Sequence, residues 1–145
     1  MVLAILGILS TFVALSTAPD PPRQAAIEAE KLGLLLEAAA QEAQWRGRTI
    51  AWSVENKRYR FLQAEGERRW VQISDDDMFR PRALPEGMGI AGIEVEGQVL
   101  PPGALLVFSR AHAPLFRITL SAPQGALVLR SLPSGKVDLQ APKPQ

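Results

Sequence analysis

His112 is the single histidine in a chain of 145 residues. A Ser–His–carboxylate site would have to use it as the base, with Ser109 or Ser121 as the nucleophile. No G-x-S-x-G elbow exposes either serine. His112 therefore reads as a solvated loop residue, and no catalytic residue is assigned. There are no cysteines, which excludes disulfide staples, thiolate metal sites and cysteine nucleophiles. Asp75, Asp76 and Asp77 could offer oxygens to a hard cation. They are consecutive, however, and lack the spaced D-x-D-x-D-G loop with its distal glutamate. They read as an acidic, solvated loop, so neither a metal ligand nor a cofactor-binding residue is assigned.

Basic side chains are the remaining chemistry. Nine of the sixteen fall in one segment: Arg46, Arg48, Lys57, Arg58, Arg60, Arg68, Arg69, Arg80 and Arg82. Arg58, Arg60, Arg68 and Arg69 form the candidate patch for DNA or a protein partner. Glu55, Glu65, Glu67 and the three aspartates dilute that charge. With 15 acidic residues against 16 basic ones the net charge is +1, so overall charge gives no reason to expect nucleic acid. Arginines on the outer face of a strand are usually solvated, or paired across strands for about 0.2–1 kcal/mol.

The elements that carry these residues follow from periodicity. Apolar residues make up 47% of the chain, which suits one globular domain plus an N-terminal element. Val2 to Leu15 is a 14-residue run without charge, containing Val2, Leu3, Ile5, Leu6, Gly7, Ile8, Leu9, Phe12, Val13 and Leu15. As a helix it would reach about 21 Å, short of a hydrocarbon core of roughly 30 Å. Three readings fit. It is a secretory signal with a small-residue cleavage site at Ser16-Thr17-Ala18, although the basic n-region is missing and Pro19 would follow the cut. It is a core helix buried all round, although about 120 further residues leave little room to surround it. Or it is a membrane helix whose beginning is missing.

The segment "APDPP" then breaks any helix leaving a membrane. Asp20 can cap a new helix with Pro21 at its first position. An amphipathic helix is placed over residues 24–46. Leu32, Leu35, Leu36, Ala39 and Ala43 recur on its sheet-packing face. Glu30, Glu37, Gln41 and Gln44 fall on the other side, and Gly47 stops the helix. After Gly47 the period changes to two. "TIAWSVEN" and "KRYRFLQ" read as a hairpin turning at Glu55-Asn56-Lys57-Arg58. "RRWVQIS" is a third strand, and "DDDMFRPRALPEGMG" is a loop. "IAGIEVEG", "ALLVFSR", "LFRITLS", "ALVLRSL" and "KVDLQ" supply further strands. Turn signals every 8–12 residues point to an antiparallel sandwich. Trp52, Tyr59, Phe61, Trp70, Phe108 and Phe116 are its candidate filling.

Two stretches carry a family resemblance. "VLAILGILSTFVALS" resembles the latter part of the N-terminal helix of type IV pilins and type II secretion pseudopilins. "EAQWRGRTIAWSVENKRYRFLQ" following a helix, with "DDDMFRPRALPEGMGIAGIEVEG", "LLVFSRAHAPLFRITL" and "LRSLPSGKVDL" after it, is similar to the H-type minor pseudopilins and the related FimT-like minor pilins. The order of these segments carries the resemblance over nearly the whole chain. Ser109-Arg110-Ala111 and His112 stand where the family has a proline–glycine turn. The family's processing glycine, aromatic first residue and early glutamate are absent, so a truncated start is expected. Restoring about seven residues would give an apolar stretch of about 21 residues, roughly 31 Å of helix, which spans a bilayer.

The resemblance implies an α+β, pilin-like fold. A long N-terminal helix, apolar anchor then amphipathic half, would pack on a sandwich of about eight short strands. The implied organisation is a membrane and fibre-core helix over residues 1–18, a proline-rich break over 19–23, the amphipathic helix over 24–46, a periplasmic β-sandwich over 47–140 and a loose tail over 141–145. It further implies processing and N-methylation by a prepilin peptidase and a single-pass location in a bacterial inner membrane. The implied partners are other minor and major pseudopilins, with no small-molecule substrate and no enzymatic activity. The implied role is a structural subunit near the tip of a short pseudopilus that helps folded proteins across the outer membrane. A FimT-like pilin of pilus biogenesis or DNA uptake is the alternative.

Overall fold

A computed structural model describes residues 21–140, apart from residues 102 and 124. The anchor expected over residues 1–18 and the tail over 141–145 lie outside the described residues. Among the described residues no helix is long and apolar enough to cross a membrane.

The helix α1 runs from Pro21 to Arg46, about 39 Å at 1.5 Å per residue. It starts at Pro21, the first helical position expected after Asp20, and so three residues ahead of the span 24–46, inside the segment assigned to the proline-rich break. The physical reason is local. Pro21 and Pro22 lack only N–H groups that have no partner in a first helical turn, and their ring presets a helical φ. Gly47, at φ +70°, ends the helix in the left-handed conformation. Ala25, Ala29, Leu32, Leu36, Ala39 and Ala43 recur at spacings of three and four and are all buried. Leu35 is buried beside them. The small residues let the helix lie close to the sheets. At Gly33 a β-carbon would stand only 3.3 Å from Leu129 Cδ2 and 3.4 Å from Val137 Cγ1.

Among the described residues ten strands follow: β1 (Ile50–Glu55), β2 (Arg58–Ala64), β3 (Trp70–Gln72), β4 (Arg82–Ala83), β5 (Gly89–Val95), β6 (Gln98–Val99), β7 (Leu106–Phe108), β8 (Phe116–Ser121), β9 (Leu127–Ser131) and β10 (Val137–Gln140). The two beyond the expected eight, β4 and β6, have two residues each. Two residues are too few to show an alternation. The first sheet has the order β3-β2-β1-β7, with β4 also on β2, and the second has β10-β9-β8-β5-β6. Every pairing is antiparallel. The β1–β2 hairpin turns where expected, with Glu55 opposite Arg58 and both Asn56 and Lys57 at positive φ. That is the twist-matching two-residue turn of hairpins.

Helix and sheets share one core. α1 packs on β10, β9, β1 and β7. Trp52, Tyr59, Phe61 and Phe79 form a run of aromatic contacts with centroids 5.1–6.5 Å apart. Phe108 of the first sheet meets Phe116 of the second edge-on at 6.0 Å. Such pairs contribute about 0.5–1.5 kcal/mol each beyond their area. Trp70 is not part of this filling and is 36% exposed. Ile73, three residues on, faces the core. An odd separation along an extended chain puts Trp70 on the outer face. The expected loop over residues 75–89 contains a 3₁₀ turn (Asp77–Phe79) and strand β4, and it sends Phe79, Leu84 and Met88 into the core.

A polar tie joins the helix to the second sheet. The Val137 N–H donates to Glu37 Oε1 at 2.6 Å. Glu37 is half-buried, whereas the helical period had placed it on the far side. The edge strand β10 brings its Val137 N–H to the helix's polar flank, a contact that periodicity alone does not register.

Candidate functional site

The catalytic geometry is not made. His112 Nε2 lies 3.1 Å from Glu96 Oε1, and both side chains are exposed. Ser109 Oγ accepts from the His112 backbone N–H at 3.1 Å, closing a turn rather than facing the imidazole. Ser121 ends β8 at the far end from Phe116, about 17 Å along the strand. The three aspartates diverge. Asp75 meets Arg48 at 3.3 Å, Asp76 accepts from the Met78 N–H at 3.0 Å, and Asp77 pairs with Arg80 at 3.0 Å. Among the described residues no three His, Asp or Glu side chains converge as a metal site would require. Tyr59 is held neutral well past physiological pH. Burial pushes its phenol up, and Glu28 adds to this while Arg82 opposes it.

The basic segment divides in two. One part is structural. Arg48, 20% exposed, reaches Glu42 of α1 at 3.3 Å, Gln63 of β2 and Asp75. It thereby pins the helix end to the first sheet. Arg46 pairs with Glu42 at 3.4 Å, and Arg82 donates to the Met78 carbonyl at 2.6 Å. The other part faces outward. Arg58 and Arg60 alternate with buried Tyr59 and Phe61, so both lie on the outer face of β2. Ser53 stands opposite Arg60, and Glu55 stands opposite Arg58. Trp70 and Gln72 share that face through their pairing with Ala64 and Leu62. A shallow cavity of about 340 Å³ lies here, lined by Arg58, Arg60, Glu55, Gln72 and Pro81 among others. Arg68 and Arg69 are exposed in the turn leading into β3. The structure therefore places Arg58 and Arg60 together on the outer face of β2, while Arg68 and Arg69 lie in the turn between β2 and β3 beside Glu65 and Glu67.

A second surface was missed at the level of sequence. Ile27, Leu34 and Trp45 are 49%, 59% and 81% exposed. Their spacings of seven and eleven put them on one line of α1, over about 27 Å. Met78, 49% exposed, adjoins the lower end. The signal was present in the helical period. It was hidden because the stronger leucine and alanine stripe defined the other face.

No family model and no curated protein matches the sequence. Solved structures do. One, the minor pseudopilin EpsH from the type 2 secretion system of Vibrio cholerae, aligns with TM-score 0.63 at 20% identity, over 81% of this chain and 97% of that one. A further crystal structure of EpsH from the same organism aligns with TM-score 0.68 at 19% identity, over 85% and 97%. At this identity the likeness establishes a shared fold: a helix laid against two antiparallel sheets, with nearly all of the neighbour's chain accounted for.

Proposed function

We propose that this chain is a minor pseudopilin, a non-enzymatic structural subunit near the tip of a type II secretion pseudopilus. The observation that carries the reading is the fold likeness to EpsH over 97% of that chain at TM-scores of 0.63 and 0.68. The uncharged run Val2 to Leu15 just ahead of α1 supports it. In this reading the run anchors the protein in the inner membrane as a single pass. It later packs beside its neighbours in the fibre, where protein contacts replace lipid contacts. The β-rich head stays in the periplasm. Prepilin processing and N-methylation belong to the same proposal. So do the other minor and major pseudopilins as partners.

The experiment is membrane fractionation and secretion in the native bacterium. Deleting the gene should stop export of folded proteins, and the wild-type copy should restore it. Gly7→Arg or Leu9→Asp should abolish membrane retention and restore no export, while the head keeps its circular dichroism spectrum. If either variant still assembles and supports secretion, the anchoring claim is wrong.

A second reading, DNA binding in an uptake pilus, is favoured by one feature: Arg58, Arg60 and Trp70 on a single outer face. Gel-shift affinity that falls steeply with salt and is lost in Arg58→Ala/Arg60→Ala would support it. Affinity unchanged by that pair would remove it.

A further inference from the structure

The cross-strand register sets a row of charges on the outer face of the second sheet. Glu94 of β5 stands opposite Arg117 of β8, Arg117 opposite Arg130 of β9, and Arg130 opposite Asp138 of β10. Phe116, Ile118 and Leu129, the sequence neighbours of the two arginines, are buried, so parity turns both arginines outward. The centre of the row is therefore arginine against arginine. Like charges directly opposite on antiparallel strands are destabilising, and an anion held between them reverses the sign of that interaction.

Neither guanidinium has a carboxylate partner. Among the described residues no ion pair includes Arg117 or Arg130, whereas Arg46 and Arg80 do pair with Glu42 and Asp77. Glu94 and Asp138 stand at the two ends of the row, each beyond its arginine, and neither is in an ion pair. Glu96 is engaged elsewhere. It accepts from the Leu115 N–H at 3.2 Å and meets His112 at 3.1 Å. Arg130 is half-buried, and its Nε is closed off from water with no hydrogen-bond partner. A charged donor left so is costly, and an oxygen placed at Nε would satisfy it. Both arginines line one shallow cavity of about 470 Å³, with Leu115, Gly97 and Ser131 in its wall.

We propose that Arg117 and Arg130 form a binding site for a phosphate-type oxyanion. The choice among anions follows from the donors. Each guanidinium presents a planar fork that matches two oxygens. Residues directly opposite on antiparallel strands have Cα atoms about 4.5–5.5 Å apart, so both forks reach one ion. A carboxylate has two oxygens, matched by a single fork, whereas a phosphate group has enough for both. A free phosphate ion and the phosphodiester of a lipid headgroup share this chemistry. Glu94 and Asp138 repel the ion from the ends of the row and hold the affinity down. The proposal goes beyond the pseudopilin reading, because it concerns the outer face of the head rather than anchoring or export. Its failure leaves membrane retention and secretion untouched.

The enclosed donor makes the test direct. Full-length protein labelled with ¹⁵N, in a neutral detergent free of phosphate, is titrated with inorganic phosphate at constant ionic strength. The Arg130 Nε–H is sheltered from exchange, so it gives a resolved signal, assigned by its loss in Arg130→Lys. That signal should shift saturably, with half-saturation at or below about 10 mM. Arg117→Gln should weaken binding at least fivefold. Glu94→Gln/Asp138→Asn should strengthen it at least threefold, because two negative charges leave the row. Acetate should bind at least fivefold more weakly than phosphate. Glycerophosphoglycerol, a soluble phosphodiester, separates the two sources: affinity at or above that of phosphate assigns the site to a headgroup, and weaker affinity assigns it to the free ion. The substituted side chains lie on the outer face, so thermal melts should stay at the parent value. Three results overturn the proposal: no saturable shift up to about 100 mM phosphate, acetate binding as tightly as phosphate, or phosphate affinity unchanged in Arg117→Gln.

Discussion

Glu37 offers the sharpest test of how α1 is held. β10 is the edge of the second sheet, and Leu132 donates to the Lys136 carbonyl across its turn. The alternating antiparallel ladder then leaves the Val137 N–H on the free side. Glu37 Oε1 accepts it at 2.6 Å. A hydrogen bond to a charged acceptor contributes about 1.5–3 kcal/mol. The contact is only part-buried, so water can replace some of it, and the lower figure applies. Glu37→Ala should therefore cost about 1.5 kcal/mol, a roughly tenfold rise in the unfolded fraction. For a domain of this size that lowers Tm by about 5–6 °C. Glu37→Gln keeps a neutral acceptor and should lose about half as much. Urea melts give the free energy, and amide hydrogen exchange reads the site itself. The Val137 amide should exchange at least tenfold faster in Glu37→Ala, with β8 amides unchanged under conditions of local opening. The reasoning fails if Glu37→Ala melts within about 0.3 kcal/mol of the parent and the Val137 amide keeps its protection. An unsheltered edge also invites strand pairing between chains, so light scattering of the alanine variant should rise on storage.

Three further outcomes follow from the packing. Phe61→Ala removes a fully buried ring that contacts both Tyr59 and Phe79 and should cost about 3–5 kcal/mol in urea melts. Lys57 sits at φ +63° in the β1–β2 turn. Lys57→Gly should stabilise the head by about 0.5–1 kcal/mol and Lys57→Val should destabilise it by more, as thermal unfolding will show. Gly33→Leu drives a branched side chain into Leu129 and Val137, already 3.3 and 3.4 Å from a bare β-carbon. It should cost about 1–3 kcal/mol and loosen the helix, measured as faster exchange along α1.

Much of this architecture is legible in the order of residues, and the exceptions have identifiable causes. The leucine and alanine stripe of α1, the hairpin at Asn56-Lys57 and most strands show their periods directly, because burial on one face must recur at 3.6 or 2 residues. The start of α1 at Pro21 is legible in the Asp20-Pro21 pair, although the span given to the amphipathic stretch began at 24, because prolines break helices in the middle and begin them at the first turn. Trp70 was assigned to the core by its size, although the parity of β3 turns it outward. β4 and β6 are too short to carry a pattern. Among charged residues, type and spacing could not separate Arg48, which bridges α1, β2 and the acidic loop, from Arg58 and Arg60, which face water.

By itself the sequence determined the class: an apolar run, one amphipathic helix, then short alternating strands, with no cysteine for a thiolate site. These properties depend on neighbours three or four positions apart along the chain, so local order suffices to state them. Only the tertiary structure decided which side of β3 Trp70 takes, that Glu37 caps a strand a hundred residues away, and that Trp45 and Met78 share one groove. Each of those depends on contacts between segments distant in sequence, and no local period encodes which distant surface will be opposite.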